Sequence, residues 1–329
     1  KYKTVLPASC IVNLQEKEGI KTIYAWLATY AKIRSWGTNE NKKQADACLP
    51  SIPSSSVTDE TEEIKNLLKK RKYIVLQGAP GTGKTYTALN IANTYSKTFF
   101  EQFHAETTFS DFVYGIEPNM SEDMSQPQFT AKKGVLYQAI EYAKEKEKEK
   151  ERVLLIIDEI NRANLSNVLG PVFYLFEYQS GMRNVEISVG DMKLTKLPDN
   201  LHVIATMNTA DRSLAVVDFA LRRRFAWYTL RPHEITPESG KKFMDGCYNK
   251  FADIFFQYAT DDELNLQPGQ SYFIVTEQTQ EKEEEEMKER MIYELMPLIK
   301  EYLAEGYLLK AKDAFCDLFL KETGKLMYE

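Results

Sequence analysis

A glycine-rich run between a strand pattern and a helix pattern constrains this chain more than any other feature. Residues 78–85 read Gly-Ala-Pro-Gly-Thr-Gly-Lys-Thr. The apolar run 73–77 precedes them, and residues 86–92 follow with the pattern of a helix. Strand, loop and helix in this order are the context that the P-loop pattern requires. The sequence therefore predicts a loop that wraps around a polyphosphate chain.

The residue types in this loop suit phosphate binding. Successive backbone N–H groups of residues 81–84, together with the start of the following helix, form a concave cluster of donors for anionic oxygens. We expect Lys84 to reach the β- and γ-phosphates and the Thr85 hydroxyl to ligate Mg²⁺. The alternative is an ordinary glycine-rich turn. The residues predicted to bind the nucleotide are Gly78, Pro80, Gly81, Thr82, Gly83, Lys84, Thr85 and Tyr86.

An acidic pair, Asp158-Glu159, follows the apolar run 153–157. Such a run is typical of a buried strand, and open α/β sheets bind ligands at the carboxyl ends of their strands. We expect Asp158 to hold Mg²⁺ together with Thr85, and Glu159 to orient and polarise the attacking water, because phosphoryl transfer needs an in-line nucleophile. The pair predicts a hydrolase, and the alternative is an ordinary acidic strand end.

Two further groups complete the predicted catalytic set of Glu159, Asn208, Arg223 and Arg224. Asn208 ends the apolar run 201–207 and can donate to the γ-phosphate or to the lytic water. Arg223 and Arg224 follow Arg222 just before another strand pattern, and guanidinium groups stabilise the charge of a transferring phosphoryl group. In a monomer this cluster could pair with surface acids. In a ring, Arg224 and Arg223 would reach a neighbour's γ-phosphate as arginine fingers.

The order of patterns along the chain predicts an α/β fold with a parallel sheet. Apolar strand patterns alternate with helix patterns as far as residue 230, and helix patterns dominate after it. We therefore predict a nucleotide-binding domain over 58–230 and a smaller helical domain over 231–329. Residues 1–57 are predicted to be an extension and linker, the tail of an upstream domain that is absent from this chain.

Composition limits the remaining classes of protein. The chain has 329 residues, 43% of them apolar, and a net charge of −6, so nothing in the total charge indicates general affinity for nucleic acid. Cys10, Cys48, Cys247 and Cys316 lie far apart and indicate reduced thiols rather than a metal site. Neither a signal peptide nor a membrane span is recognisable, which predicts a cytoplasmic protein. The start at Lys1 indicates a fragment.

Three smaller expectations concern packing. Pro297 should kink or restart the helix pattern that continues through it. Phe109, Phe112 and Tyr114 are expected in the core, with a central pore as the alternative. Arg162 and Arg212 either organise the subunit interface or contact a partner, and the alternative for each is a buried structural salt bridge.

Several long segments together resemble the McrB family of AAA+ motors from modified-cytosine restriction systems. The resemblance covers about residues 60–305, and its most specific segments are 158–166, 197–201, 207–225 and 269–273. It implies an AAA+ P-loop NTPase fold, with a parallel sheet flanked by helices and a smaller C-terminal helical lid domain. Gln270 departs from the family, which often has His at this position, and no sensor 2 residue is recognisable.

The resemblance implies more than the residues do. It implies a GTP-preferring hexamer that uses Mg²⁺, binds modified DNA through a separate N-terminal domain and partners an McrC-like nuclease subunit. ATP remains the alternative nucleotide, in a MoxR-like or dynein-like remodeller of protein complexes. A nucleotide-gated assembly scaffold with negligible turnover in the absence of a partner is a further alternative. In another alternative, residues 1–57 belong to a DNA-reading module.

Overall fold

The computed structural model describes residues 57–119, 129–177, 185–210 and 219–328. These residues form two compact units. The first contains residues 57–243 and 265–274, and the second contains residues 244–264 and 275–328. The predicted segment 1–57 lies outside the described residues except for Val57, and the predicted domain boundaries remain predictions.

The bounds of the regular elements are as follows. The strands are β1 (Tyr73–Gly78), β2 (Lys97–Gln102), β3 (Tyr114–Pro118), β4 (Phe129–Lys133), β5 (Val153–Asp158), β6 (Ile187–Val189), β7 (Met192–Leu194), β8 (Leu201–Asn208), β9 (Ala226–Thr229), β10 (Lys241–Phe243) and β11 (Ile274–Thr276). The helices are α1 (Val57–Arg71), α2 (Lys84–Ala92), α3 (Phe109–Phe112), α4 (Val135–Lys146), α5 (Leu165–Leu169), α6 (Phe219–Arg224), α7 (Asp245–Tyr258), α8 (Gln280–Arg290), α9 (Met296–Ala304) and α10 (Lys312–Thr323).

A five-stranded parallel sheet in the order β2-β5-β8-β1-β9 organises the first unit. β1, β5 and β8 lie at the apolar runs 73–77, 153–157 and 201–207, and β2 and β9 lie at two further strand patterns of the sequence, 98–103 and 225–230. The antiparallel pairs β3·β4 and β6·β7 were not predicted. Their strands are three to five residues long and largely exposed, so they lack the continuous apolar run that marks a buried strand.

Both faces of the three inner strands, β1, β5 and β8, are buried, which explains their apolar runs. Along β1, Ile74 and Leu76 pack with α1 and α2 on one face, and Tyr73 and Val75 pack with α4 on the other. Successive side chains of a strand point to opposite faces, so a strand covered on both sides must be apolar at every position. Each fully buried aliphatic side chain of this kind stabilises the fold by roughly 1.5–3 kcal/mol.

The aromatic residues near α3 belong to the core, as expected. Phe112 is fully buried, and its ring centroid lies 4.9 Å from that of Phe103 in an edge-on arrangement. Phe109 packs against the same core, and the Tyr114 ring lies 5.4 Å from the ring of Tyr137. These rings anchor the segment that follows β2.

Helices build most of the second unit. Phe251 and Phe255 on α7 contact Phe315 on α10 with ring centroids 5.9 and 5.8 Å apart. Between α8 and α9, residues Met291–Leu295 form one π-helical stretch, and α9 begins again with Pro297 in its first turn. The sequence predicted a kink or a restart at Pro297, and the structure shows instead a change from π to α hydrogen bonding just before it, with the backbone helical throughout. A proline ring clashes with the carbonyl four residues before it and offers no N–H, which accounts for the change. None of the helices in the described part of the chain has the length and apolar composition needed to cross a membrane.

Candidate nucleotide site

The register of the parallel strands brings the predicted phosphate and acid residues to one edge of the sheet. Gly78 at the end of β1 pairs with Asn208 at the end of β8, and Asp158 at the end of β5 pairs with Gln102 at the end of β2. The loop 79–83 leaves β1 at this edge and leads into α2. Residues that are 130 positions apart in the sequence therefore adjoin.

Glycine is required at two points of the loop. Gly81 and Gly83 have φ angles of 78° and 82°, in the left-handed region that glycine enters without steric cost. Left-handed residues that alternate with right-handed ones turn successive N–H groups towards one side, and such a concavity binds anions. Gly83 is also the residue that caps the start of α2, so the positive end of the helix dipole faces the same loop.

The lysine of the loop is held inside it. The Lys84 ammonium donates hydrogen bonds to the carbonyl oxygens of Ala79, at 2.8 Å, and Gly78, at 3.0 Å. The Thr82 hydroxyl donates to the same Ala79 oxygen at 2.9 Å. Lys84 is buried although it carries a charge, and a buried charge requires such partners. The positive charge is thus fixed within the loop where a phosphate chain would lie.

The two predicted Mg²⁺ ligands lie together. The Thr85 hydroxyl donates to Asp158 Oδ1 at 2.7 Å, and Thr206 donates to the same oxygen at 2.7 Å. Gln102 Nε2 lies 3.5 Å from the other carboxylate oxygen. Hydroxyl and carboxylate oxygens are hard ligands of the type that Mg²⁺ takes, and Mg²⁺ commonly uses one or two protein oxygens and completes its shell with phosphate and water. Thr85 and Asp158 therefore fit a nucleotide-bound Mg²⁺.

Glu159 has an unusual backbone conformation for a residue with a side chain. Its φ and ψ are 54° and 48°, in the left-handed helical region, which costs on the order of 1–2 kcal/mol for an L-residue. Its N–H donates to the Thr206 hydroxyl at 3.0 Å, and its carboxylate lies 3.5 Å from Arg162 Nε. The turn directs Glu159 away from the path of β5, beside Asp158. The Arg162 side chain is 48% exposed in this ion pair, so the pair is not the buried structural salt bridge that the sequence offered, and a contact of Arg162 with a neighbouring subunit or a partner stays a prediction.

Asn208 lies beside the loop at the end of β8. Its side-chain oxygen accepts a hydrogen bond from the Ala210 N–H at 3.2 Å, and Asn161 Nδ2 lies 3.4 Å from its backbone oxygen. The bond to Ala210 engages the acceptor end of the Asn208 amide, so the NH₂ group is the end that can donate to a phosphate oxygen. This orientation suits the role predicted for Asn208. Arg212 lies outside the described residues.

Sequence reasoning did not assign Thr206 and Gln102. Thr206 is buried and bonds both Asp158 and the backbone of Glu159, so it fixes the two acids relative to each other. A signal was available, because Thr206 is a polar residue in an otherwise apolar strand, two positions before Asn208 and hence on the same face. Gln102 offered no comparable signal, since the end of an exposed edge strand is commonly polar.

Comparison with known proteins supports the same reading. A family model described as AAA domain (dynein-related subfamily) matches residues 73–225, which contain the loop, both acids, Asn208 and the arginines. The EcoKMcrB subunit of a type IV methyl-directed restriction enzyme from Escherichia coli K12 is 33% identical over 290 residues, or 79% of this chain. The chain is a McrB-like AAA+ protein.

A second relative is also a restriction component. The YdiS component of the type II restriction enzyme BsuMI from Bacillus subtilis 168 is 26% identical over 193 residues, which cover 46% of this chain. The matched regions make up 60% of the E. coli protein and 55% of the B. subtilis protein. The McrB-like chain therefore matches less than two thirds of the length of either relative.

The structure does not bring the two predicted arginine fingers to this McrB-like site. Arg223 and Arg224 lie just before β9, whose first residue pairs with Ile74 near the start of β1, whereas the P-loop follows the end of β1. A strand rises about 3.3 Å per residue, so the arginines before β9 and the P-loop after β1 are about 20 Å apart. An arginine side chain cannot span that distance, so neither guanidinium reaches the P-loop of its own chain.

The two arginines differ in exposure. Arg224 is 8% exposed, its guanidinium carbon lies 4.3 Å from the Phe173 ring centroid, and Nη2 lies 3.4 Å from Glu177. The Arg223 side chain is 64% exposed and lies 3.3 Å from the same carboxylate. Glu177 thus bridges both guanidinium groups, one buried and one at the surface.

Proposed function

We propose that this McrB-like chain is a Mg²⁺-dependent nucleoside triphosphate hydrolase that prefers GTP and acts as the ring-forming motor of a modified-DNA restriction complex. The observation that carries the proposal is the convergence of Lys84, Thr85, Asp158 and Asn208 on one edge of the sheet, with Glu159 beside them. A phosphate loop alone is consistent with nucleotide storage. A carboxylate next to the Mg²⁺ ligands is the part that hydrolysis adds.

The residues of this chain divide the chemistry among them. The loop N–H groups and Lys84 bind the β- and γ-phosphate oxygens and neutralise their charge. Mg²⁺, held through Thr85 and Asp158, would supply charge stabilisation on the phosphate oxygens. Glu159 orients a water in line with the γ-phosphorus and accepts its proton, and Asn208 donates to the γ-phosphate. Thr206 holds Asp158 and Glu159 in register.

The position of the arginines supports assembly. Arg223 and Arg224 lie at the amino-terminal end of β9, about 20 Å from the P-loop of the same chain, so a phosphate that they contact must belong to another subunit. A head-to-tail contact that repeats and closes produces a ring. We propose a homo-oligomer, a hexamer by analogy with the family, in which Arg223 and Arg224 complete the neighbour's site.

Relatives supply the remaining parts of the proposal. The names of the E. coli and B. subtilis proteins place both in restriction enzymes. On that basis we propose an McrC-like nuclease as the partner and DNA binding through a domain upstream of this chain. GTP preference rests on the same analogy.

A second candidate is an ATP-driven remodeller of protein complexes, and one observation favours it. The matching family model is described by its dynein-related subfamily. The same residues would then perform the same hydrolysis on ATP, because phosphate groups and Mg²⁺ are common to both nucleotides.

Sedimentation of the purified chain with Mg²⁺ and non-hydrolysable analogues of GTP and ATP, alongside steady-state hydrolysis of both nucleotides, tests the proposal. We expect the GTP analogue to drive assembly at lower concentration than the ATP analogue, and GTP turnover to rise with protein concentration. Preference for ATP in both measurements would favour the second candidate. Background turnover with nucleotide-dependent assembly would indicate a scaffold that needs a partner.

A further inference from the structure

Residues 269–271 form three hydrogen bonds to three successive carbonyls of the P-loop. The Gly269 N–H donates to the Pro80 oxygen at 2.8 Å, and the Ser271 N–H donates to the Gly81 oxygen at 3.1 Å. Gln270 Nε2 donates to the Thr82 oxygen at 3.0 Å. We call residues 269–271 the P-loop clamp. Together these bonds fix the backbone of the loop over residues 80–82.

Peptide planarity gives this contact a consequence for phosphate binding. In a trans peptide the C=O of one residue and the N–H of the next point in opposite directions. When the clamp holds the carbonyls of residues 80–82, the N–H groups of residues 81–83 point away from it. Those N–H groups belong to the concave donor set of the loop, in which Gly81 and Gly83 have φ near 80°. The clamp thus fixes the orientation of phosphate-binding groups without touching phosphate.

The fit between clamp and loop is close. A Cβ atom on Gly269 would overlap the Gly81 carbonyl group and the Thr82 nitrogen. The nearest atom to a Cβ built on Gly83 is Gln270 Nε2, at 3.7 Å. No other residue type at position 269 allows the chain to approach the loop in this way, which is why glycine is found there.

One atom of the Gln270 side chain destabilises the fold. Gln270 is 8% exposed, and its Oε1 is buried without a hydrogen-bond partner in the described part of the chain. A buried unsatisfied acceptor destabilises a fold, and an apolar side chain of similar size would avoid the cost. The Nε2 donor is the one feature that such an apolar side chain would lack. This points to a role for the hydrogen bond to Thr82 beyond packing.

We propose that Gln270 is a positioning residue that preorganises the P-loop for a triphosphate. The inference rests on the proposed function of the loop and deepens it. Preorganised donors bind an anion more tightly because they do not have to be ordered when the anion arrives. The ligand class is the Mg²⁺-bound triphosphate chain itself, and the base makes no difference to the effect.

Calorimetric titration of the full chain with two probes, a non-hydrolysable GTP analogue and inorganic tripolyphosphate, each with Mg²⁺, tests the clamp. Gln270→Leu keeps the volume and removes the donor, so we expect Kd for both probes to rise about tenfold, the effect of one hydrogen bond. Gln270→His retains an N–H donor and should restore affinity to within about threefold of the original. Gln267→Ala is the matched control, since the side chain of Gln267 makes no hydrogen bond in the described part of the chain, and its Kd should not change.

Two readouts separate positioning from a purely structural role. Gln270→Leu should leave the melting temperature nearly unchanged, because it removes one buried unsatisfied oxygen, Gln270 Oε1, and leaves another, the Thr82 carbonyl oxygen, without its donor. Amide hydrogen exchange of residues 81–83 in the nucleotide-free protein should become faster in the same variant. Gly269→Ala should raise Kd for both probes at least as much as Gln270→Leu does. Gly246→Ala should leave Kd unchanged, because nothing lies within 4 Å of a Cβ at Gly246.

The outcomes are distinguishable. Equal affinity of Gln270→Leu and the original chain would overturn the clamp and leave the proposed function standing. A loss of affinity with a matching fall in melting temperature, unrestored by Gln270→His, would also overturn it. Absence of binding of both probes to the original chain would overturn the proposed function and the clamp together.

Discussion

Polar residues at the two ends of the central sheet differ in their partners and in their surroundings. At the carboxyl end, the P-loop lies beside Asn208 and Asp158, and Glu159 follows Asp158 directly. Their bonds to one another are the kind that orient a side chain, such as those of Thr206 to Asp158 and to the Glu159 backbone. This end of the sheet is organised for a ligand.

At the amino end, polar residues pair with each other. Asp199 accepts hydrogen bonds from Lys72 and Lys196 at 2.6 and 2.7 Å, and those bonds, the Lys196 one first, lower the pKa of Asp199 to about 2. Tyr95 Oη lies 2.6 Å from His202 Nδ1. Burial lowers the pKa of His202 to about 4 and raises that of Tyr95 to about 12, so the pair is neutral at pH 7. These contacts stabilise the fold, and they lie at the opposite end of the sheet from the P-loop.

The arginines are the exception at the amino end. Glu177 bridges them, yet the Arg223 side chain is 64% exposed. Under the proposed function, one chain builds the carboxyl-end part of the site alone and presents its arginines to another chain. Substitutions at the carboxyl end should alter catalysis, those among the paired residues of the amino end should alter stability, and those of the arginines should alter catalysis only in the assembly.

The largest expected effect is that of Arg223→Ala. We expect kcat to fall by about 10³–10⁵-fold in the assembled protein, the range for loss of an arginine finger, with nucleotide affinity of the chain retained. Arg224→Ala should lower kcat as well and also destabilise the fold, because Arg224 is buried against Phe173. Steady-state hydrolysis and thermal unfolding of each variant measure both quantities.

A matched control and a mixing experiment sharpen this prediction. Arg222 is the neighbouring arginine and stacks on Trp227 at 5.1 Å, and Arg222→Ala should keep kcat within about threefold. Mixing Arg223→Ala chains with Glu159→Gln chains should recover part of the activity, since some interfaces then pair an intact acid with an intact arginine. Activity of Arg223→Ala equal to that of the original chain at all concentrations would contradict the role.

Glu159→Gln should have the next largest effect. We expect kcat to fall by about 10²–10⁴-fold because the amide cannot accept the proton of the attacking water, while the Kd for a non-hydrolysable analogue stays within about threefold. The control at the other end of the sheet is Asp199→Asn, which removes a carboxylate that is 57% exposed on its side chain. It should keep kcat and change stability by no more than about 1 kcal/mol. Unchanged kcat in Glu159→Gln would exclude Glu159 as the base.

The smallest expected effect is on the pH dependence of stability, and it concerns His202 at the amino end of the sheet. His202 is 7% exposed, and burial, with Arg152 and Lys72 nearby, holds its pKa at about 4 in the fold against 6.5 for an ordinary histidine. Stability from this depressed pKa is fully present above pH 6.5 and is lost as the pH falls towards 4, by up to about 3 kcal/mol. Denaturant unfolding between pH 7 and 4 should therefore show a shallower loss in His202→Gln than in the original chain. If the free energy of unfolding fell equally with pH in the two proteins, this account would be refuted.

Much of the fold could be predicted from the sequence, and the residues proposed to bind phosphate and Mg²⁺ could be named from it. The three inner strands of the sheet, β1, β5 and β8, lie where continuous apolar runs predicted them, since a strand covered on both faces must be apolar throughout. The hairpins β3·β4 and β6·β7 could not be predicted in this way, because short exposed strands carry no such run. The roles proposed for Lys84 and Thr85 rest on spacing within one loop, which a sequence displays directly.

The sequence by itself determined the P-loop, because the loop is local and its glycines fix its backbone over eight positions, and the phosphate contacts of its residues are the part that we propose. Only the tertiary structure decided that Thr206 links the two acids and that Gln270 holds the loop, since these contacts join residues 47 and 188 positions apart. The structure alone also decided that Arg223 lies at the opposite end of the sheet from the P-loop. Strand direction and register set that distance, and neither is written in any single segment of the chain.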